Sequence, residues 1–327
     1  MGERAIIGID LGGTHVQVGL VEPGGRVLAR TTRETFPGGD RGAGAQGVVD
    51  RIAATAGEVC GEAGVSVGDT ACCGIGAPAP IEAATGTVIE APNLRWRDVP
   101  LREMLAGALG VPVTVENDVN AAVWGEYLHG AGRGASDLLG AWVGTGIGGG
   151  LVLGGRLHRG HAGSGGEIGQ MVIAPRNPPG LRRFEHLYSR TALCHRARRM
   201  IEANEPSVLR ELANGDLSAI NTALLAQAYG AGDALVVGLI DDAADGIGAA
   251  LGGLATALGL EAIVLGGGLT EAIGGPFVER VTEAARAGVF PDRLGSIPVR
   301  VTELEHNAGL IGAAMLAGEA HGIVRRQ

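Results

Sequence analysis

The chain has 327 residues and is 46% hydrophobic but only 3% aromatic, so its core is built from Ala, Val, Leu and Ile and is large enough for two domains. A formal net charge of −9 excludes a general nucleic-acid binder, which needs a basic face to displace counterions. Lysine is absent and all 26 basic residues are arginine, which excludes the lysine-containing P-loop signature.

The N-terminus runs straight into a strand, with no basic segment and apolar stretch ahead of it. The expectation is a cytoplasmic protein without a signal peptide. The first apolar run, Ala5–Asp10, pairs as a hairpin with His15–Val21, and Arg26–Thr32 follows the Pro23-Gly24-Gly25 turn as a third strand. Val48, Val49, Ile52 and Val59 put one apolar face on a helix over Ala45–Ala63. Ala71–Ile75 is a strand, and its Cys72-Cys73 pair reads as buried thiols, since Cys60, Cys72, Cys73 and Cys194 show no framework spacing. After the loop Gly76–Pro80 comes a helix over Leu101–Leu109, ended by Gly110, then alternating Val111, Val113 and Val115. Val119–Leu128 is helical.

Leu138–Val143 and Leu151–Leu153 form a second strand–glycine–strand hairpin that repeats the N-terminal layout. That recurrence predicts two related α/β halves facing a cleft. Past the Pro175–Pro179 loop the chain is mainly helical, including a buried glycine-rich helix over Ala243–Leu260. The arginines at 182, 183, 190, 196, 198 and 199 read as a solvated helix face or a substrate-side rim. Ala262–Leu265 is a strand running into Gly266-Gly267-Gly268, Pro298–Val301 is a late strand, and Ala308–Ala317 is a closing helix.

Two glycine turns stand out: Gly12-Gly13-Thr14 after the first strand, and Gly144-Thr145-Gly146 after Val143. Glycine lets backbone N–H groups approach a polyanion, and each threonine adds a hydroxyl donor. One such turn is an ordinary hairpin; two, with an acid between them in sequence, suggest phosphoryl transfer, which needs positioning, charge neutralisation and a base. Gly12, Gly13 and Thr14 are then one side of a phosphate cradle and Thr145 and Gly146 the other. Asp10 would hold Mg²⁺, directly or through water. Asp118 follows the Val111–Val115 strand and is the candidate general base. Asn117 or Asp118 as a helix cap is the structural alternative. Ser164-Gly165-Gly166-Glu167 fits a capping box, and Glu185 flanks an apolar stripe, so both acids are structural by pattern alone.

These motifs resemble the ROK family of sugar kinases, within the actin-like ATPase superfamily. The resemblance covers nearly the whole chain: Gly8–Gly19, Gly74–Trp96, Glu116–Glu126, Gly144–Gly150, Gly165–Gln170, Ile263–Leu269 and Ala308–Ala314. It implies two actin-like (ribonuclease H-like) α/β domains flanking a catalytic cleft. The smaller would span residues 1–117 plus 306–327 and the larger 118–305. It implies an ATP- and Mg²⁺-dependent hexose kinase, glucose being phosphorylated at its 6-hydroxyl, and a homodimer. Gly12, Gly13, Thr14, Thr145 and Gly146 would bind ATP phosphates, and Gly266, Gly267 and Gly268 would border adenosine. Asn117 and Asp118 would meet the reacting end of the sugar, Asp118 as base. Glu167, Gln170 and Glu185 would hold the other hydroxyls, and Ala79, Pro80 and Asn93 would line the same pocket.

Two departures bear on specificity. Gln170 stands where many members have His, and 174–181 carries none of the cysteines of the family's zinc segment, so zinc is not expected. Gln170 retains a donor and an acceptor for a sugar hydroxyl. Ala79 replaces a frequent glycine, and its methyl group would either narrow the sugar pocket or point away from it. The rivals are a kinase for mannose, fructose or an N-acetylhexosamine, a silent sugar sensor, and a sugar-responsive repressor. The last carries a helix-turn-helix segment ahead of the kinase fold, whereas seven residues precede Gly8.

Overall fold

The computed structural model describes residues 4–40 and 42–325. In chain order, β1 (Ile6–Leu11), β2 (His15–Val21) and β3 (Val27–Glu34) are followed by α1 (Gly44–Glu62) and β4 (Cys73–Ala77). Three short strands, β5 (Ile81–Glu82), β6 (Thr87–Ala91) and β7 (Trp96–Val99), precede α2 (Leu101–Leu109), β8 (Val113–Asn117) and α3 (Asp118–His129). Then come β9 (Leu138–Val143), β10 (Ile147–Leu153) and β11 (Arg156–Leu157). The helices α4 (Phe184–Tyr188), α5 (Arg190–Glu202), α6 (Leu209–Leu212), α7 (Thr222–Gly230) and α8 (Ala234–Leu258) follow. The chain ends with β12 (Ala262–Gly266), α9 (Gly268–Ile273), α10 (Gly275–Ala287), β13 (Val299–Val301) and α11 (Ala308–Ala320).

The chain divides into two compact units. Within the described residues, the first holds the chain up to Gly134, Leu151–Gly165, and everything from Glu303 on; the second holds Ala135–Gly150 and Gly166–Thr302. The sequence expectation cuts the first domain at residue 117. In the structure Asp118–Gly134 stays with the first unit, because α3 packs on α11.

The first unit's sheet has the order β3-β2-β1-β4-β8. β1 and β2 are antiparallel, while β1, β4 and β8 run parallel. The other five-stranded sheet repeats this arrangement as β11-β10-β9-β12-β13, with β9, β12 and β13 parallel. Parallel strands buried on both faces explain why β4 and β12 read as unbroken small or apolar runs rather than alternating ones.

α11 is the centre of the first unit. Its sequence is apolar on every side, and every residue from Ala308 to Gly318 is buried, which a helix of that kind requires. It lies unusually close to its neighbours. A Cβ on Gly8 of β1 would fall 2.3 Å from the Leu310 carbonyl oxygen, and one on Gly74 of β4 would fall 1.8 Å from that of Ala313. On the opposite side, a Cβ on Gly312 would fall 1.7 Å from the Ala121 carbonyl oxygen of α3. Backbone is the obstacle in each case, so no rotamer change relieves it.

The three-stranded sheet β5-β6-β7 has no counterpart in the sequence reading. Its strands are too short to show a period, and Arg95 and Asp98 interrupt them in the left-handed region with φ of 58° and 50°. Other predicted features are present. Gly110 ends α2 in the left-handed conformation with φ 69°, and Cys72 and Cys73 are fully buried, burial pushing the Cys72 thiol up to about 11. Among the described residues no single helix is long and apolar enough to cross a membrane.

If the glycine seating of α11 holds the first unit together, Gly312→Ala costs about 2 kcal/mol or more, as overpacking against backbone does. Denaturant unfolding of the variant checks this; a midpoint equal to wild type would show that α11 shifts at no cost.

Candidate active site

Parallel strands deliver their carboxyl ends to one edge of a sheet, where α/β proteins place ligands. In the first unit these ends carry Asp10 on β1, the Gly76–Pro80 loop after β4, and Asn117-Asp118 after β8. Asp10 pairs in register with Gly76, and Gly76 with Glu116. A Cβ on Gly76 would fall 3.1 Å from the Asp118 Cα, so this glycine lets α3 start close against β4.

The Asn117 carboxamide oxygen accepts from the Asn120 N–H at 2.9 Å and so caps α3. Its Nδ2 donates to Asp118 Oδ1 at 3.1 Å and, more weakly, to the Ala79 carbonyl at 3.4 Å. The Val119 N–H donates to the same Asp118 oxygen at 2.9 Å. The cap and the candidate site are therefore one construction: Asn117 ends the strand, starts the helix and holds one carboxylate oxygen of Asp118. Behind it, buried Glu116 accepts from the Asn117 N–H at 3.0 Å and from Asn120 Nδ2 at 3.1 Å, and pairs with Arg159 at 2.5 Å.

Burial, with the Asp118 carboxylate as the smaller cause, pushes Asp10 up to about 7. Its carboxylate rests against Gly309, where an added Cβ would fall 2.6 Å from Oδ2. The adjoining turn Gly12–Thr14 is held by a residue the sequence reading missed. Buried Thr35 donates its hydroxyl to the Gly12 carbonyl and its N–H to the Thr14 carbonyl, both at 2.8 Å. Only its position just past β3 hints at this role. Asn93 packs on the same turn, its Cβ 3.1 Å from where a Gly13 Cβ would lie. Ala79 is buried with its methyl group, and Pro80 accepts from the Ile89 N–H at 3.1 Å.

The second unit gathers the remaining candidates in two places. In the first, β9 and β12 pair up to Trp142 and Gly266, and their following turns touch. Gly267 has φ 94°, and a Cβ there would fall 2.6 Å from the Val143 nitrogen, so position 267 accepts only glycine. Gly144–Gly146 and Gly266–Gly268 thus lie together. The first two residues of α5 clasp the former turn: Thr191 Oγ1 donates to the Thr145 carbonyl at 2.7 Å, and Arg190 Nη2 to Thr145 Oγ1 at 2.6 Å.

In the second place Gln170 Nε2 donates to Glu185 Oε1 at 2.8 Å, and Arg183 donates to Gln170 Oε1 at 2.5 Å. Glu167 is close enough to Glu185 that burial and the second carboxylate both push it upwards. The capping box expected at Ser164–Glu167 is not formed. Glu167 precedes a single 3₁₀ turn, Ile168–Gln170, without a side-chain cap, because Gly166 at φ 90° turns the chain first. Arg183 and Arg190 belong to the run read as a solvated face or rim, and both touch candidate residues.

A family model described as ROK family matches residues 6–320. The chain belongs to the ROK family. It is 35% identical to a glucokinase of Thermotoga maritima over 98% of this chain and 100% of that protein. It is 32% identical to a glucokinase of Streptomyces coelicolor over 97% and 99%. Among solved structures it resembles a ROK family glucokinase from Streptomyces griseus in complex with glucose and AMPPNP, with a TM-score of 0.82 and 33% identity over 96% of this chain and 99% of that one. The ROK chain described above therefore has the actin-like two-domain α/β fold of its relatives.

Because the folded-state pKa of Asp10 is raised, the native state holds a proton that the unfolded chain releases, and stability falls as pH rises from about 4 through about 7. Asp10→Asn lacks this penalty. Without nucleotide or divalent cation, its melting temperature should exceed wild type at pH 8 and converge with it near pH 4. A gap independent of pH would show that Asp10 is not the titrating group.

Proposed function

We propose that the chain is an ATP- and Mg²⁺-dependent hexose kinase that transfers the γ-phosphate of ATP to the 6-hydroxyl of glucose. The observation that carries this reading is the Asn117-Asp118 construction beside Asp10, in a chain similar over nearly its full length to glucokinases. The glucose and AMPPNP of the Streptomyces griseus complex support the same pair of substrates.

Asp118 is the general base. One of its oxygens is fixed by the Val119 N–H and the Asn117 amide, which leaves the carboxylate oriented for taking a proton from the attacking hydroxyl. Asn117, with Ala79, Pro80 and Asn93, belongs to the sugar pocket. Glu167, Gln170 and Glu185 hold the remaining hydroxyls, and the Gln170–Glu185 bond presets two of these groups. A site built from paired donors and acceptors rejects a sugar that lacks one hydroxyl, because a buried group is left unpaired.

Gly12, Gly13 and Thr14, with Thr145 and Gly146, receive the phosphates, and Gly266–Gly268 border adenosine. The residues fit Mg²⁺. That ion uses one or two carboxylates and completes its shell with phosphate and water, and half-buried Asp10 is a carboxylate that a cation would favour in its ionised form. Asp10 would hold it, directly or through water, and the ion would neutralise charge on the transferring phosphoryl group. A cytoplasmic location and a homodimer belong to the same proposal and rest on the family resemblance.

Asp118→Asn should lower kcat for glucose about a hundredfold or more, the usual contribution of a positioned base. Glucose affinity by calorimetry should stay within a few-fold of wild type. Undiminished turnover in this variant would remove Asp118 from the chemistry.

A further inference from the structure

We propose that Arg190 binds the phosphate chain of the anionic phosphoryl donor, exchanging its bond to Thr145 for phosphate oxygens. The proposal rests on the kinase reading above and concerns a residue that the family motifs do not include.

The turn does not need this guanidinium to hold its shape. The Arg190 backbone N–H donates to the Gly144 carbonyl at 3.0 Å, and the Thr191 hydroxyl donates to the Thr145 carbonyl at 2.7 Å. These two bonds fix the carbonyls on either side of the turn. The guanidinium adds one bond to a freely rotating hydroxyl, at 2.6 Å. That uses one of its five donors.

Its charge is also unanswered. Further along the same helix Arg196 pairs with Asp242 at 2.7 Å and Arg198 with Glu202 at 3.4 Å, whereas Arg182 and Arg183, like Arg190, donate to neutral oxygens. Arg190 forms no ion pair among the described residues. Glu185 also approaches this turn, its Oε2 lying 2.6 Å from where a Gly146 Cβ would be, but it forms no ion pair with Arg190 and its other oxygen accepts from Gln170. An accessible guanidinium without a carboxylate partner, held to the hydroxyl of a glycine turn, suits a polyanion. Its planar fork matches phosphate oxygens, and Thr145 Oγ1 would turn to the same ligand.

Calorimetry of wild type and Arg190→Gln with ATP, ADP and adenosine tests this; glutamine keeps a donor for Thr145 and removes the charge. The expected result is roughly tenfold weaker ATP binding, the size of one charge-assisted hydrogen bond. ADP should weaken less and adenosine not at all, and ATP affinity should depend less on salt. Arg190→Lys should recover part of the loss, and Thr191→Val, which disturbs the turn without removing charge, should not reproduce the ATP-over-adenosine pattern. Equal weakening of all three ligands, or none, overturns the proposal. A wild-type chain that binds ATP but phosphorylates no hexose removes the kinase reading alone, and the affinity series still decides Arg190. A wild-type chain that binds no nucleotide overturns both.

Discussion

The first unit depends on backbone meeting backbone without side chains between. α11 lies against β1 at Gly8, β4 at Gly74 and α3 at Gly312, in each case closer than any Cβ permits. This contact has a chemical consequence. β1 carries Asp10 near its carboxyl end and α3 begins at Asp118, so the helix that seals the unit also brings two carboxylates near enough to feel each other. Gly309, at the start of α11, completes the arrangement by lying directly on the Asp10 carboxylate. Desolvating an acid costs stability unless it is paired or neutralised, and the fold accepts that cost at the residue proposed above to hold Mg²⁺.

The second unit applies the same principle on a smaller scale. Gly267 allows the turn after β12 to touch the end of β9, so two glycine turns far apart in sequence become neighbours. The acceptor group Glu167–Gln170–Glu185 is built differently, from side chains that bond to each other. Gln170 is central there. Its amide accepts a hydrogen bond from Arg183 and donates one to Glu185, a polarity that a neutral imidazole also supplies and that an aliphatic residue would lose.

Much of this was legible in the sequence because the informative residues sit where periodicity breaks. Asp10, Asn117 and the turns at 12–14, 144–146 and 266–268 all end strands whose apolar runs are easy to recognise. At Asn117 the cap is formed, and the same side chain also bonds the candidate base Asp118, so capping does not count against the proposed role. What could not be read were contacts made across long sequence separations. Thr35 pins a turn more than twenty residues away, and Glu116 meets Arg159 across a longer gap. No local pattern marks such partners. The arginines from 182 onward look like a solvated face because helical spacing alone cannot tell Arg196, paired on the surface, from Arg190, bonded to a candidate phosphate-binding turn.

The most direct measurement is a coupled ADP-release assay with ATP and Mg²⁺ over glucose, mannose, fructose, N-acetylglucosamine and N-acetylmannosamine. The account predicts strong turnover with glucose and a clear preference over the others, with Gln170 serving in the acceptor set. Strong turnover on a different sugar would contradict the glucose assignment while keeping the kinase. No turnover on any sugar, with the protein folded, would contradict the phosphotransferase itself.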